Sequence, residues 1–459
     1  MTRHPSSDGH TALQKNTGSG TPVFDPPCGP IEGWADGPVL RATGIPYARA
    51  ARFEQPVPVP DWTLPFAATQ WAPACPQRPL PFIDEALGGT WGSLPQDEDC
   101  QRLSVTLPSD RAADETLPVM VWIHGGSYTS GAGDARCFDP ATLVAEQRVV
   151  VVSVTYRLGL FGYLGDGADR PANLGLLDQI AAFRWVGRNI AAFGGDARNV
   201  TAFGQSAGGD AIAHLMATDG AETLFQRAII QSPPLGIALG RRRMNAAMAR
   251  AATAVTADMT PAEVLALEPA VARAGRSFGL RGAMPFGTQY GYAPLVAERD
   301  VEAAWDAVAP RIAVLIGHTA EEARLFLPTI PSLQVWFGRP LIGPLLRRLA
   351  VGVVTEIVYA RAIRRFAKRH ARAGGCAHLY TLTWAAPGNM FGAAHAIELP
   401  LLFGTERVWK NAAYLAGATW PEIETQGRRL RRFWADFARG ESLPDSGEVP
   451  DVLTYSRPT

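Results

Sequence analysis

Ser206 has the surroundings most suited to chemistry. It lies in Val200-Thr201-Ala202-Phe203-Gly204-Gln205-Ser206-Ala207-Gly208-Gly209, where four residues of strand character run into Gly-x-Ser-x-Gly and then a helix-forming segment. A serine between two glycines at a strand-to-helix turn sits on a tight, strained bend. Its hydroxyl projects from the sheet edge, and the next backbone N–H faces the same space. The glycines are needed because a Cβ at either flank would strike a neighbouring strand or helix. Serine hydroxyl is a weak nucleophile at neutral pH. It needs a base to take its proton, a group to orient that base, and N–H donors for the oxyanion formed on attack.

In the α/β-hydrolase arrangement the chain order is serine, acid, histidine, so the base lies on a loop after a late strand. Of eight histidines, His395 fits best. It lies in Gly392-Ala393-Ala394-His395-Ala396-Ile397-Glu398-Leu399-Pro400, where small neighbours leave room for the imidazole to reach Ser206. For the acid, Ile316-Gly317-His318-Thr319-Ala320-Glu321-Glu322 follows a buried strand, and either glutamate can reach the sheet edge. The other reads as a solvated helix-start carboxylate. The oxyanion site needs the N–H of Ala207 and a glycine-rich loop after an early strand, which His124-Gly125-Gly126-Ser127 supplies.

These groups need a sheet to hold them. Pro118 to His124 and Val149 to Thr155 are nearly continuous apolar runs, as in strands buried on both faces. Pro140 to Gln147 reads as a helix between them. Leu176 to Phe193 has helical spacing and a stop at Gly194-Gly195. Further strands are expected at Leu103 to Leu107, Val200 to Phe203, Arg227 to Gln231 and Ile312 to Ile316, with His378 to Trp384 the last long one. A helix is expected through Asp210 to Ala217 and another over Gln426 to Gly440. Gly33 to Ala48 reads as a short antiparallel hairpin or meander. The alternation defines an α/β fold, a mostly parallel sheet with helices on both faces. Arg243 to Ala274 (two helices broken near Met259-Thr260-Pro261) and Pro331 to Arg372 interrupt it as helical insertions over the active site.

Composition excludes other classes. Lys+Arg and Asp+Glu are 43 each, so nothing points to nucleic acid as partner. Residues 1–22 are polar without an apolar core, which reads as a disordered tail and not as a secretory signal. Residues 23–459 read as a single domain. No apolar run is long enough to span a bilayer. A cytoplasmic protein without a stable membrane anchor is expected, as monomer or homodimer, acting on a small-molecule ester. No cofactor is expected, since no Cys/His cluster has metal-ligand spacing and no phosphate loop is present. Cys28, Cys137 and Cys376 read as small packed residues. Arg361, Arg364, Arg365, Lys368, Arg369 and Arg372 share one helical face, which reads as solvated surface first and as a peripheral membrane or acidic-partner contact second.

The chain resembles type-B carboxylesterases, the group that also holds cholinesterases and para-nitrobenzyl esterases. The matching residues include Gly44-Ile-Pro-Tyr-Ala48, Glu98-Asp-Cys100, Val121-Trp-Ile-His-Gly-Gly126, Tyr156-Arg-Leu-Gly159 and Asn173-Leu-Gly-Leu-Leu-Asp-Gln179. They continue with Phe193-Gly-Gly-Asp196, Phe203-Gly-Gln-Ser-Ala-Gly-Gly209 and Glu398-Leu-Pro400. The resemblance implies the α/β-hydrolase fold, Ser206 as nucleophile, His395 as base and Glu322 as the acid. It also implies Gly126, Ser127 and Ala207 as oxyanion donors. Amide, carbamate or lipid ester hydrolysis needs the same triad, and some relatives of the group are non-catalytic binding proteins. Gln205 stands where the group often has glutamate, which removes a charge that would favour choline esters. Ser127 stands where a third glycine is frequent, and its Cβ narrows the acyl side. Cys75 and Cys100 match a disulfide of the group, although in the cytosol such thiols can stay reduced. The loop they close carries Trp91, which either lines the alcohol side of the pocket or anchors its own loop.

Overall fold

The computed structural model describes residues 21–459, apart from 89–91, 93 and 168–169. Among the described residues eleven strands form one sheet. In chain order they begin β1 (Trp34–Asp36), β2 (Val39–Pro46), β3 (Arg102–Pro108), β4 (Leu117–Ile123), β5 (Val150–Val154) and β6 (Gly195–Gln205). They continue β7 (Arg227–Gln231), β8 (Ala313–Thr319), β9 (Ala377–Leu382), β10 (Ser446–Val449) and β11 (Leu453–Ser456). The spatial order is β10-β11-β9-β8-β7-β6-β4-β5-β3-β2-β1. The middle strands, β9 through β5 in that order, pair in parallel, and both edges are antiparallel.

The apolar runs are continuous because both faces of the parallel strands are covered. In β4, Val119, Val121 and Ile123 enter one core, while Met120 and Trp122 enter the other. Trp122 is fully buried against Phe138, Phe203 and Phe403, with ring centroids 5.2, 4.9 and 4.8 Å away. The second face is covered by helix α1 (Ala141–Gln147) and by the C-terminal helix Trp420–Arg439. The first is covered by α2 (Leu174–Asn189) and α3 (Ala207–Leu215). A 3-10 turn extends α2 to Phe193, and Gly194 stops it at φ +78°.

The insertion at Arg243 to Ala274 is two helices, α4 (Arg242–Ala251) and α5 (Pro261–Gly275). The second starts at a capping box, in which the Glu263 N–H donates to Thr260 Oγ1 (3.3 Å) and the Thr260 N–H to Glu263 Oε2 (2.7 Å). The insertion at Pro331 to Arg372 ends in α6 (Gly343–Thr355), a π-turn (Glu356–Ala360) and α7 (Arg361–Arg372).

β9 is the last long strand, as expected at His378 to Trp384, and beyond it β10 and β11 pair as a short antiparallel edge. These strands are mostly exposed and polar, so they lack the apolar run that marks the central strands. The strand at Val200 begins earlier, at Gly195, across a register shift between Gly195 and Val200. Cys376 is exposed, whereas Cys28 and Cys137 are buried as expected.

Candidate active site

The turn after β6 presents Ser206 at φ +58°, ψ −123°, a strained conformation for a residue with a Cβ. The flanking glycines are forced by one atom. A Cβ on Gly204 would lie 2.6 Å from the Ile123 carbonyl oxygen, and a Cβ on Gly208 2.0 Å from that oxygen. The end of β4 therefore fixes the turn from outside. From within, the Ser206 N–H donates to the Gln231 carbonyl (2.8 Å) and the Asp210 N–H to the Ser206 carbonyl (2.9 Å). Ala207 opens α3 with its N–H at the helix N-terminus.

The loop after β4 is pinned in a left-handed run: Gly126 at φ +114°, Ser127 at +55° and Tyr128 at +62°. A glycine at 127 would adopt this φ without strain, so Ser127 is conformationally costly as well as bulkier. The Tyr128 hydroxyl donates to Asp210 Oδ2 (2.6 Å), tying this loop to α3. His124 Nδ1–H donates to the Gly125 carbonyl (2.8 Å), and its ring stacks on Tyr156 at 4.4 Å. Burial pushes the His124 imidazole down to about 4, so it props the loop as a neutral ring. Among the described residues the N–H groups of Gly126, Ser127 and Ala207 find no acceptor. Free donors on the two loops that meet where Gly125 packs on Ser206 suit a developing oxyanion.

The loops after β8 and β9 bring Glu322 and His395 together. His395 Nδ1 hydrogen-bonds Glu322 Oε2, and Glu322 Oε1 accepts the Thr319 N–H (2.8 Å). Burial raises the Glu322 carboxyl, but His395 against it outweighs burial, and the group lies below its usual value. Phe326 and Tyr359 flank the imidazole, with centroids 5.2 and 5.4 Å away. Glu321 is more than a helix-start carboxylate. Its N–H donates to the Ala393 carbonyl (2.9 Å), and its Oε2 accepts the Ala393 N–H (3.2 Å) and pairs with Arg324 (2.7 Å). It thus clamps the Glu322 loop to the His395 loop.

Gln205 enters the site in a way its position did not announce. Its Nε2 lies 3.1 Å from His395 Nε2. With Nδ1–H directed at Glu322, Nε2 carries the lone pair, so the Gln205 amide donates to it. Among the described residues the His395 ring nitrogens bond Gln205 and Glu322, and no hydrogen bond joins the ring to the Ser206 hydroxyl. The same amide packs over Gly125, where a Cβ would lie 3.0 Å from Gln205 Oε1 and 3.1 Å from Ser206 Cβ. Serine and histidine are therefore gathered around Gln205.

Glu398 is the site residue that sequence reasoning missed. It is fully buried, and burial together with Glu322 pushes its carboxyl up to about 7. Gln231 Nε2 donates to its Oε1 (3.4 Å), and Gln231 Oε1 accepts Trp434 Nε1–H (3.2 Å). The signal was a lone carboxylate inside the apolar run Ala396-Ile397-Glu398-Leu399-Pro400. Cys75 and Cys100 are buried and unbridged, and the hydrogen bond the Cys100 thiol donates to Cys75, with burial, pushes that thiol up. Trp91, expected at the pocket or on its own loop, lies outside the described residues. Among the described residues no helix is long and apolar enough to cross a membrane.

A mixed sheet with a parallel centre, and a strained serine turn after the strand beside β4, define the α/β-hydrolase class. Within that class, the carboxylesterase family model matches residues 21–332. The chain is 38% identical over 429 residues to the probable N-octanoylanthranilate hydrolase AqdA2 of Rhodococcus erythropolis, covering 91% of this chain and 93% of that one. It is 32% identical over 448 residues to the para-nitrobenzyl esterase of Bacillus subtilis strain 168, covering 90% and 88%. Among solved structures, a thermophilic para-nitrobenzyl esterase superposes with a TM-score of 0.72 at 29% identity, covering 91% and 90%. The Geobacillus stearothermophilus carboxylesterase EST55 gives 0.71 at 27%, with the same coverage. This chain belongs to the carboxylesterase family and is a carboxylesterase.

Proposed function

We propose that the chain hydrolyses small carboxylic esters by two-step acyl transfer on Ser206. His395 takes the serine proton as the hydroxyl attacks the ester carbonyl. Glu322 holds the Nδ1–H tautomer and stabilises the imidazolium. The N–H groups of Gly126, Ser127 and Ala207 receive the oxyanion. His395 then protonates the departing alcohol, and water enters to release the acid by the same route in reverse. Entry of substrate displaces the Gln205 amide from His395 Nε2, freeing that nitrogen for Ser206. The observation that supports this reading is the Glu322–His395 hydrogen bond, with Gln205, the residue before Ser206, against the other ring nitrogen. The enzyme is read as cytoplasmic, as a monomer or homodimer. Labelling with a fluorophosphonate should occur in the wild type and vanish in Ser206→Ala. Equal labelling of both would overturn the assignment.

One observation favours a second substrate class. The Rhodococcus relative is named for an N-acyl anthranilate, an amide, and the match covers nearly all of both chains. Amide hydrolysis needs the same triad with a harder leaving group. Comparing an acyl anilide with the phenyl ester of the same acid separates the two readings. Turnover of the anilide within tenfold or so of the ester would favour the amide.

A further inference from the structure

The segment 330–372 has two features that the active site does not use. It carries nine Lys/Arg and one Asp/Glu in a chain whose total charge is balanced. It also turns apolar side chains outward. α6, the π-turn and α7 run as one helix, since the residues at both junctions keep helical dihedrals. At 1.5 Å per residue it is about 45 Å long. Leu345, Leu349 and Val353 are each more than half exposed, and Ile342 and Ile357 nearly half. Their spacing of three and four residues makes one stripe along the helix. Just before it, Leu341 is 94% exposed.

The same helix then changes character. Its inner face stays in the core through Ile363, Phe366 and Ala367. Its outer side becomes cationic. Arg365 and Arg369 pair with Glu302, and Arg364 with Glu356. Among the described residues Arg348, Arg361, Lys368 and Arg372 have no carboxylate partner. A contiguous apolar stripe marks an interaction surface and not scattered surface residues.

We propose that this helix face is a docking surface for an anionic lipid bilayer. The stripe stands on an exposed helix face, as is needed to sink into the headgroup boundary, and the cations on the same helix meet the lipid charge. A second copy of the chain fits less well. An antiparallel two-fold contact along the whole helix would set its guanidinium groups against the copy's apolar stripe, and a parallel one would set them against their own copies. The location adds a consequence. Thr355 Oγ1 accepts the Ala323 N–H (3.3 Å) beside Glu322, and the Tyr359 ring lies 5.4 Å from His395. Docking would therefore hold the site close to the surface from which apolar substrates partition. The surface does not depend on the roles assigned to Ser206, Glu322 and His395.

The test is co-sedimentation of the full chain with vesicles of phosphatidylcholine alone or mixed with phosphatidylglycerol. Binding to the mixed vesicles, released by salt, is expected, with little binding to phosphatidylcholine alone. Two variants separate the contributions: Leu345→Ser with Leu349→Ser, and Arg361→Glu with Lys368→Glu and Arg372→Glu. Each should lower partitioning about tenfold or more. Circular dichroism and hydrolysis of a water-soluble ester should stay unchanged, which reports an intact fold. No binding to either vesicle, binding indifferent to lipid charge, or binding unaffected by both variants would overturn the proposal. So would a dimer in sedimentation velocity that the leucine variant dissolves while vesicle binding is absent.

Discussion

Ser206 and His395 lie at one sheet edge, but the turn bearing the serine and the loop bearing the histidine are held differently. The serine turn is shaped by exclusion. The Ile123 carbonyl leaves no room for a Cβ at Gly204 or Gly208, and the backbone has one path. The histidine loop is shaped by attraction. Glu322 holds the imidazole, Glu321 holds Ala393, and the Tyr414 hydroxyl donates to the His395 carbonyl (2.7 Å). Steric exclusion is insensitive to pH and leaves few alternatives. Charge-assisted hydrogen bonds respond to protonation and admit competitors, and Gln205 is one. In the proposed mechanism the reacting atom thus sits on the rigid side, and the group that must gain and lose a proton on the adjustable side.

That contrast can be broken from either side. Ser206→Ala should lower kcat for a phenyl ester by about a millionfold while leaving the thermal midpoint nearly unchanged. Glu322→Gln should lower kcat by about ten-thousandfold with little change in KM, because it loses the tautomer and not the pocket. On the steric side, Gly208→Ala should destabilise the fold by about 3 kcal/mol, read by chemical denaturation. A similar loss at an exposed glycine with open space around it and no positive φ, such as Gly187, would show that the turn is not special.

A smaller effect tests the adjustable side through pH. The Glu398 carboxyl sits at about 7 in the fold against 4.5 in the open chain. Between those values the unfolded chain loses its proton while the folded one keeps it. Stability therefore falls as pH rises through this window, by about 3 kcal/mol in total, and levels off above it. Glu398→Gln should flatten that slope in unfolding measured from pH 4 to 8. The smallest effect is expected for Gln205→Glu. It removes the donor on His395 Nε2 and places a negative charge beside the ring. The acid limb of the kcat/KM profile should move to higher pH, with a change in maximal rate within about tenfold. A profile that does not move would remove Gln205 from any competition with Ser206.

Much of this architecture was legible. Arg227–Gln231 has the strand limits that its apolar run implies, and Gly194 ends the turn after α2 at the expected residue. The sequence placed Ser206, the Glu321–Glu322 pair and His395 at loops following separate strands of one sheet, and they follow β6, β8 and β9. Glu321 was harder to read, because its partner Ala393 lies on another loop. β10 and β11 carry no apolar run, so their pairing shows only once β9 offers an edge. Cys376 is exposed although cysteine is usually buried, because it precedes β9 at the end of a surface turn.

The sequence by itself determined the sheet, the serine turn and the order of the residues proposed to serve it, because buried strands leave continuous apolar runs and a turn with no room for a Cβ leaves glycines at fixed spacing. Tertiary structure alone decided the rest. Gln205 reaches His395 across 190 residues of chain, and Glu398 is buried beside Glu322. The stripe from Ile342 to Ile357 points outward although its composition matches a core helix. Hydrophobicity says that such a stripe needs cover, but the direction a helix faces is set by the contacts of its other side, and those come from distant parts of the chain.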